Sequence, residues 1–349
     1  MNRKREKVTQ QEIAERVGLS RATVSRVLRN VTGPKSSTAA RIIDTAREMG
    51  YRLPATAKTP TRKGTGRQKS LVAGLLLCTP DESTSSSSVV PMRILHGATD
   101  ASNERNVLLH VEYISESEAA DIRSIDDVPS SLRNRNLSGL VLTGFLPAET
   151  VDAISGRKTC VRLNYHDPGI EMDVVGQDDR TAVRHHILDL RERGHRKIGY
   201  YCRKSTASYA LSRFAAYVEA LALFNMEYRP DWSVNIWDHA DGPAWNRVDR
   251  AIEEGVTAWI CAHDDLGYEM IHHLSSTGIN VPDDISICGF DALPVPEGMK
   301  PMRTIDWPIE DIAAAGVGML IRRINEPARA VGQLQFTGRR IPGETVGNA

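Results

Sequence analysis

The stretch VTQQEIAERVGLSRATVSRVLR, residues 8–29, reads as two short helices joined by a tight turn. Thr9 is a strong N-cap residue, and Glu12 three positions on completes a capping box. Ile13, Ala14 and Val17 give the first helix a single apolar stripe. Gly18 permits the turn, and Ser20 caps the second helix. There Val24, Val27 and Leu28 face inward, while Arg21, Ala22, Ser25, Arg26 and Arg29 are left outside. An arginine-bearing outer face on a second helix has the shape and charge that a DNA major groove admits. An ordinary amphipathic pair would share the stripe, but the two caps, the turn and the charge bias together favour a groove reader.

The net charge of the 349 residues is zero, which hides a strong asymmetry. Residues 1–70 hold 17 Lys and Arg against 5 Asp and Glu, whereas the remainder holds 27 against 39. A basic end attracts phosphate, and an acidic body resists being wrapped by it. No run approaches the roughly 18 apolar residues that span a membrane. The first residues, MNRKREK, lack the apolar stretch of a secretory signal, so a cytoplasmic protein is expected. Cys78, Cys160, Cys202, Cys261 and Cys288 are scattered without CxxC spacing and read as small core residues; no metal or cofactor is expected.

The pattern VT…IA…VGLS…ATVSRVL resembles, nearly position for position, the headpiece of the LacI/GalR-type (lactose-repressor family) transcription factors. The resemblance implies that the second helix enters the major groove. Arg21 and Ala22 fall where that family varies its base contacts, Arg26 matches its common arginine, and Thr23 and Ser25 match phosphate or adjoining base contacts. Thr9, Ser20, Arg29, Lys35 and Tyr51 complete the expected DNA-contacting set. The match runs on through Ser36 to Tyr51. Ser36 or Ser37 can cap a third helix with Ala39, Ile42, Ile43, Ala46 and Met49 inward and Gly50 at its end.

Residues 54–69 read as a linker, interrupted by Pro54, Pro60, Gly64 and Gly66. The family places a hinge helix here with a leucine that wedges into the minor groove, but Pro60 occupies the wedge position. Proline there removes a helix hydrogen bond and clashes with the preceding turn, so the usual hinge helix is not expected. Arg62, Lys63, Arg67 and Lys69 then act either as an extended DNA-binding arm or as solvated charges on a flexible linker.

After Ser70, short apolar runs alternate with amphipathic stretches. Strands are expected at 71–78, 107–112, 139–144 and 160–164, and a second series begins at 173–175 and continues at 197–202, 232–236, 258–261 and 286–290. Such β/α alternation argues for parallel sheets covered on both faces. Four motifs resemble the effector-binding core of the same family, which shares its fold with periplasmic sugar-binding proteins: GHRKIG (194–199), RFAAY (213–217), AHDD (262–265) and VPDDISICGFD (281–291). The expected architecture is an all-α helix-turn-helix headpiece (1–53), the linker, and a two-lobed α/β core (70–349). The N-lobe is expected to take about 70–164 plus 293–328, and the C-lobe about 165–292 plus 329–349.

Between such lobes, ligands sit at the carboxyl ends of the strands. The resemblance places Ser87, Asn164, Arg213, His263 and Asp291 at effector positions, with Trp307 as a stacking surface and Trp245 as a weaker candidate. His263 stands where the family often has asparagine, which extends the expected ligand from a sugar to an acidic sugar, a phosphate or a nucleoside. Each residue also has a plainer role: an ion pair for Arg213, a cap for Asp291, a structural hydrogen bond for His263, packing for Trp307. Enzyme motifs (GxSxG, HExxH, GxxxxGK[ST], GxGxxG after a strand) are absent, and the Asp pairs at 178–179, 264–265 and 283–284 read as turn and cap residues.

The resulting expectation is a ligand-responsive, non-enzymatic regulator, a repressor, that binds a pseudo-palindromic double-stranded operator as a homodimer. The partner set is operator DNA, a small sugar-like effector and a second copy, with no membrane. The tail GRRIPGETVGNA (338–349) carries no apolar heptads, so a coiled-coil tetramer is not expected. A solute-binding protein would need only the lobes, and an architectural DNA protein only the basic end. Arg26→Ala is expected to weaken specific operator binding by roughly 1–3 kcal/mol. Substitution of Lys35 should instead lower affinity for all sequences alike, with a reduced salt slope, as gel shifts against specific and random duplexes would measure.

Overall fold

The computed structural model describes residues 9–18, 24, 42, 45, 46, 49, 71–81, 89–133, 136–165, 167, 169–202, 208–234 and 244–349. Ser20, Arg21, Ala22, Thr23, Ser25, Arg26, Arg29, Lys35, Tyr51, Ser87 and the whole linker 54–69 lie outside the described residues. The chain divides into two compact units, Met1–Gln68 and Lys69–Ala349.

In the first unit, helix α1 spans Gln10–Val17. The Thr9 hydroxyl accepts from the Glu12 N–H at 3.3 Å, and Glu12 accepts from the Thr9 N–H at 2.7 Å, so the capping box is formed on both sides. Gly18 ends the helix at φ 70°, a left-handed conformation that favours glycine, and its N–H returns to the Ala14 and Glu15 carbonyls. Ile13, Ala14 and Val17 are buried with Val24, Ile42 and Ala46, and Met49 packs against them.

The second unit is built on parallel sheets. Strands β1 (Val72–Thr79), β2 (Leu108–Ser115), β3 (Gly139–Gly144), β4 (Cys160–Leu163), β5 (Asp173–Gln177) and β11 (Gln333–Phe336) form a six-stranded sheet in the order β11-β5-β4-β3-β1-β2. All its pairings are parallel. Within β1, Leu75 and Leu77 join one core while Leu76 and Cys78 join the other, so both faces are covered. Strands β6 (Ile198–Tyr201), β7 (Ser233–Val234), β8 (Ala258–Cys261) and β9 (Ser286–Cys288) form a second parallel sheet, β7-β6-β8-β9. Strands β10 (Thr304–Asp306) and β12 (Arg339–Ile341) pair antiparallel, and a bridge from Cys288 to Arg303 ties this pair to the second sheet.

Two strands join a different sheet from the one their place in the sequence suggests. Residues 173–175 were expected to open the second series, but β5 pairs with β4, and β11, expected with the later lobe, pairs with β5. The physical reason is Asp173. Its buried carboxylate takes both Arg323 nitrogens, at 2.8 and 3.0 Å, and the Gly332 N–H at 2.9 Å, which holds the start of β11 beside β5. Burial alone would raise this carboxyl, but the Arg323 guanidinium and the Gly332 N–H outweigh it and keep Asp173 below its ordinary value.

Helices cover the sheets: α2 (Val89–Glu104), α3 (Glu116–Asp121), α4 (Ala148–Ser155), α5 (Asp179–Glu192), α6 (Ser208–Leu223), α7 (Ala244–Glu253), α8 (Asp264–Ser276) and α9 (Ile309–Asn325). α9 packs against α2 and against β3, β4 and β5. The crossing is close because Gly97 on α2 meets the Glu310 backbone, and a Cβ there would lie 2.2 Å from the Glu310 oxygen. Backbone cannot swing aside as a flexible side chain can. Gly97→Ala is therefore expected to destabilise the second unit by about 1–3 kcal/mol despite the better helix propensity of alanine. Urea unfolding of wild type and variant measures this, and equal midpoints would contradict the packing argument.

Candidate functional site

The carboxyl ends of the two parallel sheets gather a buried cluster around Arg213. This residue lies on α6 and is about 1% exposed. Its Nε donates to Asp179 at 2.9 Å, and its Nη2 reaches Asp291 at 3.3 Å and the Gln177 side-chain oxygen at 3.4 Å. Nη1 donates to the Ala262 carbonyl. These partners come from the end of β5, the start of α5, the segment after β8 and the segment after β9. One guanidinium thus joins chain ends from both sheets.

Rings enclose the same cation. The guanidinium carbon sits 4.4 Å from the Phe290 centroid, 5.3 Å from Tyr209 and 5.6 Å from Trp307. Burial alone would pull Arg213 down, but Asp291 and Asp179 outweigh that, so it stays charged. Burial raises the Asp179 carboxyl, and Arg213 opposes that rise.

Asp291 and Ala292 follow β9 at φ 94° and 47°, and Asn164 follows β4 at φ 60°. Non-glycine residues pay conformational strain in this region, and such strain concentrates where function over-determines the backbone. The turn after β9 is pinned from below by Asp264, the first residue of α8. Its buried carboxylate accepts from the Leu293 N–H and from the Thr304 hydroxyl, both at 2.9 Å. A side chain at Gly289 would strike the other Asp264 oxygen at 2.1 Å, so only glycine fits there. Burial raises the Asp264 carboxyl well above the ordinary aspartate value.

A small cavity of about 60 Å³ opens beside Arg213, with Asn164, Tyr165, Gln177, Asp179, Tyr209 and Gln335 among its walls. Phe145, Tyr165 and Tyr209 meet edge to face with centroids 6.0–6.2 Å apart. Phe145 and Tyr165 follow β3 and β4, whereas Tyr209 belongs to α6, so this contact also spans the two sheets.

The structure brings Arg213, Asp291 and Trp307 together and sets Asn164 on the adjoining cavity wall. Trp307 is buried with its ring parallel to Phe290, centroids 6.4 Å apart. His263 is the N-cap residue of α8, next to the Ala262 carbonyl that Arg213 takes. Trp245 stacks on Tyr201 and His273, at 5.3 and 4.5 Å, and so belongs to the packing of the second sheet. Two aspartates correct the turn-and-cap reading. Asp178 does cap α5 through the Thr181 N–H, but Asp179 is a buried partner of Arg213, and Asp264 holds the turn after β9. Phe290, Gln177, Tyr165 and Tyr209 were not singled out from sequence. Phe290 and Tyr165 carried a signal, being next to Asp291 and Asn164. No group of three or more metal-ligating side chains occurs among the described residues, and no described helix is long and apolar enough to cross a membrane.

Comparison with known proteins adds an independent line. A profile of bacterial regulatory proteins of the lacI family matches residues 9–53, and one of the periplasmic binding protein-like domain matches residues 187–346. The transcriptional regulator GntR of Escherichia coli is 24% identical over 347 residues, 98% of this chain and 100% of its own length. GalR of Salmonella typhimurium is 27% identical over 311 residues, covering 87% of this chain and 86% of its own. The chain carries a lacI-family helix-turn-helix domain and a periplasmic-binding-protein-like domain, and its relatives are LacI/GalR-type regulators. In fold it is similar to a transcriptional regulator CelR–cellobiose complex, with a TM-score of 0.63 at 19% identity over 97% of this chain and 100% of that one. It is also similar to a lac repressor dimer bound to operator and the anti-inducer ONPF, with a TM-score of 0.61 at 18% identity over 98% of this chain and 100% of that one. This LacI-type chain is a DNA-binding transcriptional regulator.

Behind the cluster, His186 on α5 is buried edge-on to Phe290 and lies 2.9 Å from the Gly289 carbonyl, which accepts from Nε2–H. Burial pushes His186 down to about 3. An unfolded chain takes up a proton near its ordinary value of about 6.5, which the folded chain refuses. The His186 contribution is therefore fully present above pH 6.5 and is lost as pH falls from there towards 3, by about 2 kcal/mol at pH 5. His186→Gln should lower stability at pH 7 yet flatten its fall between pH 7 and 5. Denaturant titrations at three pH values measure that slope, and an unchanged slope would refute the assignment.

Proposed function

We propose that this regulator acts in the cytoplasm as a repressor, binding a pseudo-palindromic operator as a homodimer, with a small sugar-like metabolite setting its affinity. In this reading Thr9, Ser20, Arg21, Ala22, Thr23, Ser25, Arg26, Arg29, Lys35 and Tyr51 contact DNA. Ser87, Asn164, Arg213, His263 and Asp291 hold the metabolite, with Trp307 backing the arginine. A single headpiece contacts too little DNA for high specificity, which favours a dimer on two half-sites.

The observation that carries the reading is the placement of Arg213. Its partners Gln177 and Asp179 end and follow β5 of the six-stranded sheet, while Ala262 and Asp291 follow β8 and β9 of the four-stranded sheet. A ligand that competes for any one of these contacts favours one arrangement of the two sheets over another. That difference in affinity is what an allosteric effector requires. The cavity beside Arg213 is walled by the Tyr165–Tyr209 pair, which joins elements of the two sheets. The same cluster argues for a binder over an enzyme, because Asp179 and Asp264 are already engaged by Arg213, Leu293 and Thr304.

The test is operator affinity with and without a panel of sugars, in wild type and in Arg213→Lys. Wild type should bind a specific duplex with a sugar-dependent shift of at least tenfold, and Arg213→Lys should keep operator binding but lose most of that shift. An unchanged sugar response in the variant would remove Arg213 from the site.

A further inference from the structure

Residues 304–308 lead from the four-stranded sheet to α9, which packs on β3, β4 and β5 of the six-stranded sheet. In β10 successive side chains point to opposite faces. Ile305 and Trp307 are accordingly buried, whereas Asp306 between them is half-buried. The segment Ile305–Trp307 is gripped from two directions.

Arg93 on α2 supplies one grip. Its Nε and Nη2 donate to the two Glu310 carboxylate oxygens, both at 2.8 Å. Nη1 donates to Asp306 at 3.2 Å, and Nη2 also donates to the Trp307 carbonyl at 3.0 Å. A two-pronged contact fixes the orientation of a guanidinium, which a single point of contact does not. Hydrogen bonding between the two raises Arg93 and holds the Glu310 carboxyl below its ordinary value. The second Asp306 oxygen accepts from Arg339, its partner on β12, at 3.0 Å.

The Arg213 cluster supplies the other grip. The Asp291 N–H donates to the Ile305 carbonyl at 2.8 Å, and the Arg213 guanidinium carbon lies 5.6 Å from the Trp307 ring centroid. Gly338 packs on the same ring so closely that a Cβ there would lie 2.7 Å from it. A ring confined in this way moves only with its own backbone. Arg93 and Arg213 share no hydrogen-bond partner among the described residues, yet both bear on Trp307, one through its carbonyl and the other through its ring.

We propose that Ile305–Trp307 is a relay and that Arg93 is its positioning residue, holding the backbone that presents the Trp307 ring to Arg213, so that a displacement at Arg213 reaches α2 and α9. Its regulatory meaning rests on the reading of Arg213 as an effector-sensing group, whereas the coupling itself does not. A relay of this kind is a coupling free energy, and it is measured as one.

The test uses the full chain with no added metabolite. Residues that neither touch nor share a partner usually add in their effects on stability, so independent sites would give an additive cycle of Arg93→Gln and Arg213→Lys in urea unfolding. The relay gives instead a coupling of about fivefold or more in the unfolding equilibrium constant. Arg229→Gln breaks the Arg229–Glu254 pair, which touches none of these residues, and should add with Arg213→Lys. Acrylamide quenching of the emission that Trp307→Phe removes gives a second measure. Trp307 should be shielded in wild type and in Arg229→Gln, and should become quenchable in Arg93→Gln and in Arg93→Lys, which keeps the charge but not the fork. An additive cycle overturns the relay, and so does a Trp307 that stays shielded in a folded Arg93 variant. Neither result bears on the effector role of Arg213, which the sugar response of Arg213→Lys decides separately. Where Arg213→Lys does not fold, quenching in the Arg93 variants decides the relay by itself.

Discussion

A buried guanidinium is tolerable only where the surrounding chain supplies opposite charge and acceptors at close range, and Arg213 sets that requirement for the second unit. Removing such a cation from water is opposed by several kcal/mol, which Asp179, Asp291 and the enclosing rings must offset. The ends of β5, β8 and β9 have to reach one point for this to happen. The left-handed conformations at Asp291 and Ala292 and the glycine at position 289 lie at that convergence. The stability of the second unit is therefore concentrated in these few atoms.

The carboxylates around this centre divide the work. Asp264 holds the turn after β9 through Leu293 and Thr304, and Thr304 opens β10, so the turn is tied to the chain that passes back towards the first sheet. Asp173 does the equivalent work at the far edge, joining α9 and β11 to β5 through Arg323 and Gly332. Arg93 on α2 clamps Glu310 and Asp306 at 2.8 and 3.2 Å and links the first helix of the sheet to the start of α9. The Asp173–Arg323 and Arg93–Glu310 contacts join residues 150 and 217 positions apart, whereas Asp264 reaches Leu293 and Thr304 over 29 and 40.

Much of this was legible in the residues. The capping box at Thr9 and Glu12, the turn at Gly18 and the stripe Ile13, Ala14, Val17 are local features, and they form as their spacing dictates. Strands at 139–144 and 258–261 match their apolar runs to the residue. Arg213 and Asp291 were found through motif resemblance, and they meet. The roles of Asp179 and Asp264 were not legible, because an Asp pair before a helix looks like a cap whichever of its members turns inward. Tyr165 and Tyr209 were missed because neither stands in a motif, and their contact exists only once two separate strands end side by side.

Local chemistry determined helix α1 with its cap and closing turn, the alternation of strand and helix, and the basic composition of the front end, since these depend on neighbours within a turn or two. Tertiary structure alone decided which sheet β5 and β11 would join, which aspartate would neutralise Arg213 and which rings would enclose it. The physical reason is that a parallel strand has no local mark of its partner. Its place is settled by side chains such as Asp173 and Arg323, 150 positions apart, whose burial is tolerable only when they meet.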